Sequence, residues 1–272
     1  MTFKRIVAAL ALAALAAGWT AGPGQAQPAQ PPAAAQSPAP PTGAAPSTPV
    51  PLPPGLDRAA IERIVHDYLV QHPEVLIEAI NEMKRRQEQA SADQAQKTIA
   101  ERRQEIFNDP DTPVAGNGQG DVTIVEFFDY HCGYCKQVQP SIEKLMKQDG
   151  KIRFVFKEFP ILAPESRTAA AAALAAQRQG KYLAMHDAMM EARGMLTKPR
   201  ILEIAKDQGL DVARLEKDMA SPEIDALIER NMQLASALDI NGTPTFLIGD
   251  ELVPGAITME EIQQLIAKAR KS

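Results

Sequence analysis

The sequence has 272 residues, of which 45% are hydrophobic and 23% are charged, as is ordinary for a globular protein of one large or two small domains. The net charge is −5 and no basic stripe is interleaved with aromatic residues, so binding to nucleic acid is not expected. Only two cysteines are present, which excludes a scaffold held together by several disulfides.

The first residues have the pattern of an export signal followed by a linker. A short basic start, "MTFKR", precedes an apolar run, and Gly24 and Ala26 supply the small residues of a cleavage site. We therefore expect a signal peptide over residues 1–26, and an uncleaved membrane anchor is the alternative. The Pro/Ala-rich residues 27–55 predict a disordered, extended linker. The mature protein is then expected outside the cytoplasm, where disulfide chemistry is permitted.

Residues 56–107 predict a helical module and connector. Asp57 is a suitable N-cap, and two segments after it have apolar residues at helical spacing. From Lys84 to Gln104 the sequence favours a helix with almost no core residues, which is typical of a solvated connector or a weak coiled coil. Two short amphipathic helices cannot bury a core alone. We expect a homo-oligomer formed through this module; the alternative is that the helices fold back on their own domain.

Residues 108–272 predict an α/β domain. A buried strand, "VTIVEFF", leads to the cysteine pair and a helix that runs to Lys147, and a second buried strand, "KIRFVFKEF", follows. Residues 164–238 are predicted to be helical throughout. Two short strands, "TPTFLIG" and "ELVPG", and a final amphipathic helix complete the chain. The order βαβ, helical insertion, ββα predicts a thioredoxin-like fold with an inserted helical subdomain, preceded by the N-terminal helical segment.

Cys132 and Cys135, spaced as C-x-x-C, could be half of a zinc site, a small structural bridge or a redox couple. Zinc needs two more ligands, and neither another cysteine nor a paired histidine spacing supplies them, so no metal is expected. A bridge that closes so short a loop restrains little of the unfolded chain. A redox dithiol is favoured, with no cofactor. Because Cys132 lies at a helix N-terminus, its thiolate is favoured there, so Cys132 is the expected nucleophile and Cys135 the resolving thiol.

The segments "VEFFDYHCGYCKQ" and "NGTPTFLIG" resemble the DsbA-like branch of the thioredoxin superfamily, the periplasmic thiol:disulfide interchange proteins, over roughly residues 110–272. The resemblance implies a periplasmic location and a cis peptide bond at Thr243–Pro244 beside the catalytic pair. It further implies that the backbone of Thr243 pairs with an extended client, and that Glu126 helps to move the proton of the second cysteine. The N-terminal module resembles the oligomerisation segment of the suppressor-of-copper-sensitivity type.

Four further expectations concern side chains near the pair. Lys157, on the neighbouring strand, could be the charge partner of Glu126, unless Glu126 is an ordinary exposed edge residue. His131 could stabilise the thiolate as a cation, or it could be a solvated loop histidine. His186 is expected to be a packed helix residue. Core filling is favoured over a peptide groove for the methionines of the insertion, which are Met185, Met189, Met190 and Met195.

The direction of the exchange is inferred from the resemblance. Gly133–Tyr134 between the cysteines and Thr243 before the proline are similar to the periplasmic isomerases rather than the strong oxidases. We therefore expect a disulfide isomerase or reductase that acts on exported client proteins with cysteines and is served by a DsbD-like membrane reductase. The alternatives are a DsbA-type oxidase served by a DsbB-like oxidase, a copper-binding thiol protein, and a chaperone-like binding module without catalysis.

Overall fold

The structure is a computed structural model that describes Gly55 and residues 57–271. The expected signal peptide and all of the expected linker except Gly55 lie outside the described residues. The chain divides into two compact units, residues 1–65 and residues 66–272, and the division falls within the first helix. At the start of that helix Asp57 accepts a hydrogen bond from the N–H of Ala59 at 3.1 Å, which confirms the predicted N-cap.

Ten helices and five strands are described between residues 57 and 271. The helices are α1 (Arg58–Gln71), α2 (Glu74–Glu101), α3 (Arg103–Phe107), α4 (Gly133–Gln148), α5 (Ser166–Gln177), α6 (Tyr182–Glu191), α7 (Lys198–Asp207), α8 (Val212–Met219), α9 (Pro222–Ala237) and α10 (Met259–Ala269). The strands are β1 (Val114–Gly116), β2 (Val122–Phe128), β3 (Ile152–Glu158), β4 (Thr245–Ile248) and β5 (Glu251–Pro254).

The five strands form one sheet in the order β1-β3-β2-β4-β5. Strands β2 and β3 are parallel and are connected through α4, whereas β1, β4 and β5 each pair antiparallel with their neighbours. This is the predicted βαβ unit, helical insertion and ββα unit. The prediction missed β1, because a strand of three residues that ends in Gly116 within a turn-rich segment has no usable periodicity.

The two central strands are buried on both faces, as parallel strands between helical layers usually are. Ile124, Phe128 and Phe156 point into a core that includes residues of α4, α10 and the helical insertion. Val125 and Phe127 point into a second core with residues of α2, α3 and α9. Each large side chain removed from water in this way contributes about 1.5–3 kcal/mol. The sheet is therefore a rigid support for the residues that follow the carboxyl ends of its parallel strands.

Helix α2 is a single helix of 28 residues whose two ends have different surroundings. Its last turns contain Ala95, Thr98 and Ile99, which are buried, so the segment expected to be a solvated connector is packed on the domain at this end. The apolar side chains earlier in the module stay exposed: Ile64, Val65, Tyr68 and Val70 in α1, and Leu76, Ile77, Ile80 and Met83 in α2. Among the described helices, none combines the length and the apolar character that crossing a bilayer requires.

Candidate functional site

The cysteine pair lies where β2 ends and α4 begins. Cys132 is the N-cap of α4, and its Sγ atom accepts the backbone N–H of Cys135 at 3.2 Å. This geometry places the sulfur at the positive end of the helix dipole. The pKa of Cys132 is lowered to about 6, chiefly by hydrogen bonding from the Cys135 thiol and further by the N–H groups of Cys135 and Tyr134, while burial opposes the change. A large fraction of Cys132 is therefore a thiolate at neutral pH.

Cys135 has the opposite environment. It lies one helical turn into α4 and is 1% exposed. Burial raises its pKa, and the sulfur of Cys132 and the negative charge of Glu126 raise it further. The two thiols, both free in this structure, are thus strongly differentiated: one is an activated sulfur at a helix N-terminus, and the other is a protonated thiol behind it. A dithiol divided in this way can attack a disulfide with one sulfur and release the product with the other.

Glu126 lies on the central strand β2 and is 1% exposed. The interpretation as an exposed edge residue is wrong, because β2 has β3 on one side and β4 on the other. Its pKa is raised to about 8, mainly by burial and further by the negative charge of Cys132. Its Oε2 atom has no hydrogen-bond partner among the described residues. A buried carboxyl that can change protonation near neutral pH, on the face of the sheet that carries the dithiol, can exchange a proton with a thiol there.

Lys157 is not the charge partner of Glu126, and that expectation is corrected by the register of the sheet. Lys157 is paired with Phe127, so its side chain lies on the face opposite to that of Glu126. Its ammonium donates to the carbonyl of Glu105 at 2.8 Å and to the hydroxyl of Thr112 at 2.9 Å. Lys157 therefore ties α3 to the sheet and takes no part in the dithiol site.

The peptide bond Thr243–Pro244 is cis, as the resemblance implied. The carbonyl oxygen of Thr243 accepts the Cys132 thiol at 3.3 Å, so this loop lies directly against the reacting sulfur. The Thr243 Oγ1 atom is buried and has no hydrogen-bond partner within the described part of the chain. The structure thus brings together four of the residues expected at the site and the proline beside them: Cys132, Cys135, Glu126, Thr243 and Pro244.

His131 is not a solvated loop residue, because only 10% of its side chain is exposed. Its role as a cation that stabilises the thiolate stays a prediction. Its Nε2 atom accepts the backbone N–H of Leu196 at 3.2 Å, and its Nδ1 atom lies 3.1 Å from the hydroxyl of Ser166. The ring joins the active-site loop to both ends of the segment that contains α5 and α6.

Asp129 organises the same loop and was missed by the sequence analysis. This buried carboxylate accepts four hydrogen bonds: at Oδ1 from His131 N–H and the Ser166 hydroxyl, both at 2.8 Å, and at Oδ2 from Ile161 N–H at 2.8 Å and Leu162 N–H at 2.9 Å. A carboxylate immediately after an apolar strand was the available signal, because a charge so placed needs partners. Asp129 fixes the backbone that delivers Cys132 to α4.

A second buried polar cluster lies behind the loop, and only one of its members was considered in the sequence. Glu158 accepts the hydroxyls of Tyr130 at 3.0 Å and Tyr182 at 2.8 Å, and burial raises its pKa well above the ordinary value. His186 contacts the Tyr130 hydroxyl at 3.0 Å, and burial lowers its pKa to about 3. His186 is therefore a packed neutral residue, as expected.

The methionines divide as core filling predicts, with one exception. Met185, Met189 and Met190 are buried in the core that also contains the cysteines. Met195 is 55% exposed and follows the helical segment of α6. Among residues 57–271, no group of three or more His, Cys, Asp or Glu side chains is arranged to hold a metal ion.

The chain is similar to known protein families and to solved structures. A family model described as thioredoxin matches residues 108–268. The chain belongs to the thioredoxin family. A second model, described as the N-terminal domain of copper resistance protein ScsC, matches residues 57–90. A thioredoxin-like oxidoreductase from Silicibacter pomeroyi is 46% identical, with a TM-score of 0.61, over 62% of this chain and 98% of that one. The catalytic domain of Proteus mirabilis ScsC is 25% identical, with a TM-score of 0.61, over 65% of this chain and 99% of that one.

The curated relatives add two kinds of match. Thiol:disulfide interchange protein DsbA of Bordetella parapertussis is 26% identical in an alignment of 178 positions that covers 58% of this chain and 82% of that protein. Na(+)/H(+) antiporter NhaA 1 of Salinispora arenicola is 30% identical over 164 residues, so the chain spans only 25% of the antiporter's length. With the DsbA and ScsC likenesses, this member of the thioredoxin family is similar to protein-disulfide oxidoreductases.

Proposed function

We propose that the protein is a periplasmic disulfide isomerase or reductase that acts on cysteines of exported proteins through Cys132 and Cys135. The observation that carries the proposal is the division of labour in the pair: an activated sulfur at a helix N-terminus, and a resolving thiol buried behind it. A periplasmic thioredoxin-like protein from Salmonella enterica, 30% identical with a TM-score of 0.56, supports the location.

The exchange needs no cofactor. The Cys132 thiolate attacks one sulfur of a client disulfide; the new Cys132–client bond forms as the client bond breaks, and the departing client sulfur takes up a proton. The resolving thiol then attacks the Cys132 sulfur, which releases the client reduced and leaves a Cys132–Cys135 disulfide. Alternatively, a second client thiol attacks the client sulfur that is bonded to Cys132, which closes a new client disulfide and releases Cys132 as a thiolate. Glu126 is the group placed to accept the proton of Cys135 in the first of these outcomes.

Reduced thiols at the end of a reductive cycle have to be regenerated, because each client released in the reduced form leaves a Cys132–Cys135 disulfide. We propose a DsbD-like membrane reductase as the partner that supplies these electrons. An isomerase that rearranges clients without net oxidation uses the same partner only to correct its own oxidation. The dithiol is then expected to be mostly reduced in the cell.

Self-association through the N-terminal module is part of the proposal. Apolar side chains along α1 and the first half of α2 are exposed, such as Ile77 at 62% and Ile80 at 53%. Exposed apolar surface of this extent on consecutive helices is typical of an interface. We propose that a second copy of the same module covers it, so that several dithiols act on one misfolded client. The match of residues 57–90 to the ScsC N-terminal domain supports this assignment.

The interface cannot be tested by deleting the whole N-terminal module. Deleting all of residues 56–107 would remove Ile99, Ile106 and Phe107, which belong to the second core. A point substitution avoids that damage: Ile80→Asp places a charge in the exposed apolar stripe, and Asn81→Asp places the same charge at the adjacent exposed position. Light scattering should show that Ile80→Asp lowers the oligomeric state and Asn81→Asp does not, and reactivation of scrambled ribonuclease should fall with it. If the wild type and both variants are all monomers, the proposed interface is wrong.

A DsbA-type oxidase is the second candidate, on the observation that 82% of the Bordetella parapertussis DsbA is matched. The two functions separate in the periplasm. Alkylation of the free thiols in freshly quenched cells should find Cys132 and Cys135 reduced if the isomerase assignment is correct. A dithiol that is mostly oxidised, in a protein that oxidises reduced ribonuclease but does not rearrange scrambled ribonuclease, would assign the oxidase.

A further inference from the structure

A groove of about 980 Å³ lies between helix α2 and the loop that contains the cis-proline. One wall is a stripe of α2 whose members are three and four residues apart and therefore share one helix face; they are Lys84, Gln87, Glu88, Ser91, Ala92, Ala95 and Gln96. The other wall comes from residues 238–245 and from strand β5. The groove thus joins the connector helix to the catalytic domain.

Helix α2 is held against the catalytic domain by specific contacts. Ala95 and Ile99 of α2 are buried, and the side-chain amide of Gln96 donates to the carbonyl of Asp250. Two residues beyond the end of α2, the guanidinium of Arg103 binds the carboxylate of Asp250 at 2.7 Å. Both polar contacts are made with the turn that joins β4 to β5. The helix wall is therefore a built part of the domain.

The groove is continuous with the reacting sulfur through Thr243. Thr243 lines the groove, and its carbonyl oxygen is the acceptor of the Cys132 thiol at 3.3 Å. Neither the Cys132 thiolate nor the sulfur of a mixed disulfide has a hydrogen to donate, so during exchange the Thr243 carbonyl needs another donor. The buried Thr243 hydroxyl also has no partner among the described residues. Both groups are satisfied by the backbone of a polypeptide attached to Cys132.

The residues that line the groove indicate what kind of ligand it can bind. Both walls mix small or apolar residues, such as Ala92 and Ala95 of α2 and Leu252 and Pro254 of β5, with polar ones. We propose that α2 is a specificity-determining wall, which contacts the extended client segment whose cysteine is bonded to Cys132. The proposal rests on the proposed function. It assigns the connector helix a role in client recognition, in addition to its role in carrying the N-terminal module.

Two alanines of α2 provide a matched test. Ala92 lies in the groove stripe, whereas Ala90 is two residues back, about 200° around the helix, and both are exposed. Rates are measured with scrambled ribonuclease and with oxidised glutathione, a small substrate that has no extended polypeptide segment to lay along the groove. For Ala92→Trp, the ratio of the ribonuclease rate to the glutathione rate should fall about tenfold, the size of one strong interface contact. For Ala90→Trp the ratio should stay as in the wild type.

A second measurement protects the test against misfolding of Ala92→Trp. A photoreactive amino acid is placed at Ser91, in the stripe, or at Ala90, outside it, in a Cys135→Ala background that retains the mixed disulfide with ribonuclease. Cross-links from position 91 and none from position 90 are expected. Equal ratios of the ribonuclease rate to the glutathione rate in the two tryptophan variants, or equal cross-linking from both positions, would overturn the proposed role of α2. Loss of exchange with glutathione in the wild type would instead overturn the proposed function.

Discussion

Replacing Glu126 by glutamine should stabilise the reduced protein, and the gain should grow with pH. The carboxyl has an ordinary pKa of 4.5 in the unfolded chain and a pKa of about 8 in the folded one, because burial disfavours its charge. Below pH 4.5 both states are protonated and the group contributes no penalty. As the pH rises from 4.5 to 8, ionisation favours the unfolded chain progressively, and above 8 the penalty is constant. Glutamine cannot ionise and escapes this penalty.

The magnitude follows from the size of the shift. Each pKa unit is worth about 1.4 kcal/mol, so the penalty from Glu126 is about 1 kcal/mol at pH 5, about 3 kcal/mol at pH 7 and about 4 kcal/mol at pH 8. The free energy of unfolding of Glu126→Gln minus that of the wild type should therefore increase by about 3 kcal/mol between pH 5 and pH 8. The extra N–H of the amide lowers the absolute gain at every pH by a similar amount, so the change with pH is the clean quantity.

Urea denaturation of both proteins in reducing buffer across that pH range measures this quantity. Glu78→Gln is the matched control: Glu78 is exposed on α2, so its replacement should change stability by less than about 0.5 kcal/mol at any pH. A difference between Glu126→Gln and the wild type that stays flat from pH 5 to pH 8 would refute the reasoning, because it would mean that Glu126 ionises in the folded protein as it does in the unfolded one.

Three further outcomes are expected. The thiolate absorbance of Cys132 should titrate with a midpoint near pH 6, and its rate with oxidised glutathione should fall about tenfold per pH unit below that value, because the thiolate is the attacking species. Asp129→Asn should lower the free energy of unfolding by about 3 kcal/mol in urea titrations, since an amide nitrogen cannot accept the buried donors now bound to one carboxylate oxygen. Met189→Ala should cost about 3 kcal/mol by the same assay, as a fully buried methionine does, whereas exposed Met195→Ala should cost little.

The parts of this fold that the sequence predicted are those whose signal is local. Strands β2 and β3 are recognisable because each is a continuous apolar run, and the strand, turn and helix around Cys132 follow from a few adjacent residues. The apolar faces of α1 and α2 are also local patterns. In each case the element is determined by the same adjacent residues that form the sequence pattern, so the local sequence is sufficient to predict it.

The errors concern contacts between distant parts of the chain. Whether Lys157 faces Glu126 depends on the register of β2 against β3, and a shift of one residue moves every side chain to the other face. The role of His131 depends on Ser166 and Leu196, which are 35 and 65 residues away. The connector helix looked solvated because its buried residues are few and lie only in its last turns. None of these facts is contained in a window of sequence.

The direction of the reaction can be argued from Cys132 itself. A lower pKa at the attacking cysteine stabilises the reduced form and makes the disulfide a stronger oxidant. Comparable cysteines have a pKa of about 7 in thioredoxin, whose potential is about −270 mV, and about 3.5 in DsbA, whose potential is about −120 mV. The value of about 6 for Cys132 lies between them. At about 30 mV for each tenfold change in the equilibrium, the potential at pH 7 extrapolates to about −250 mV from thioredoxin and about −190 mV from DsbA.

That interval favours a reductant or isomerase over a strong oxidase, independently of the residues between the cysteines. Equilibration of the dithiol with glutathione buffers at pH 7, followed by alkylation, measures the potential directly. A value between about −250 and −190 mV is expected. A value near −120 mV would mean that the reduced form is stabilised well beyond what the N-cap of α4 provides, and the oxidase assignment would then be preferred.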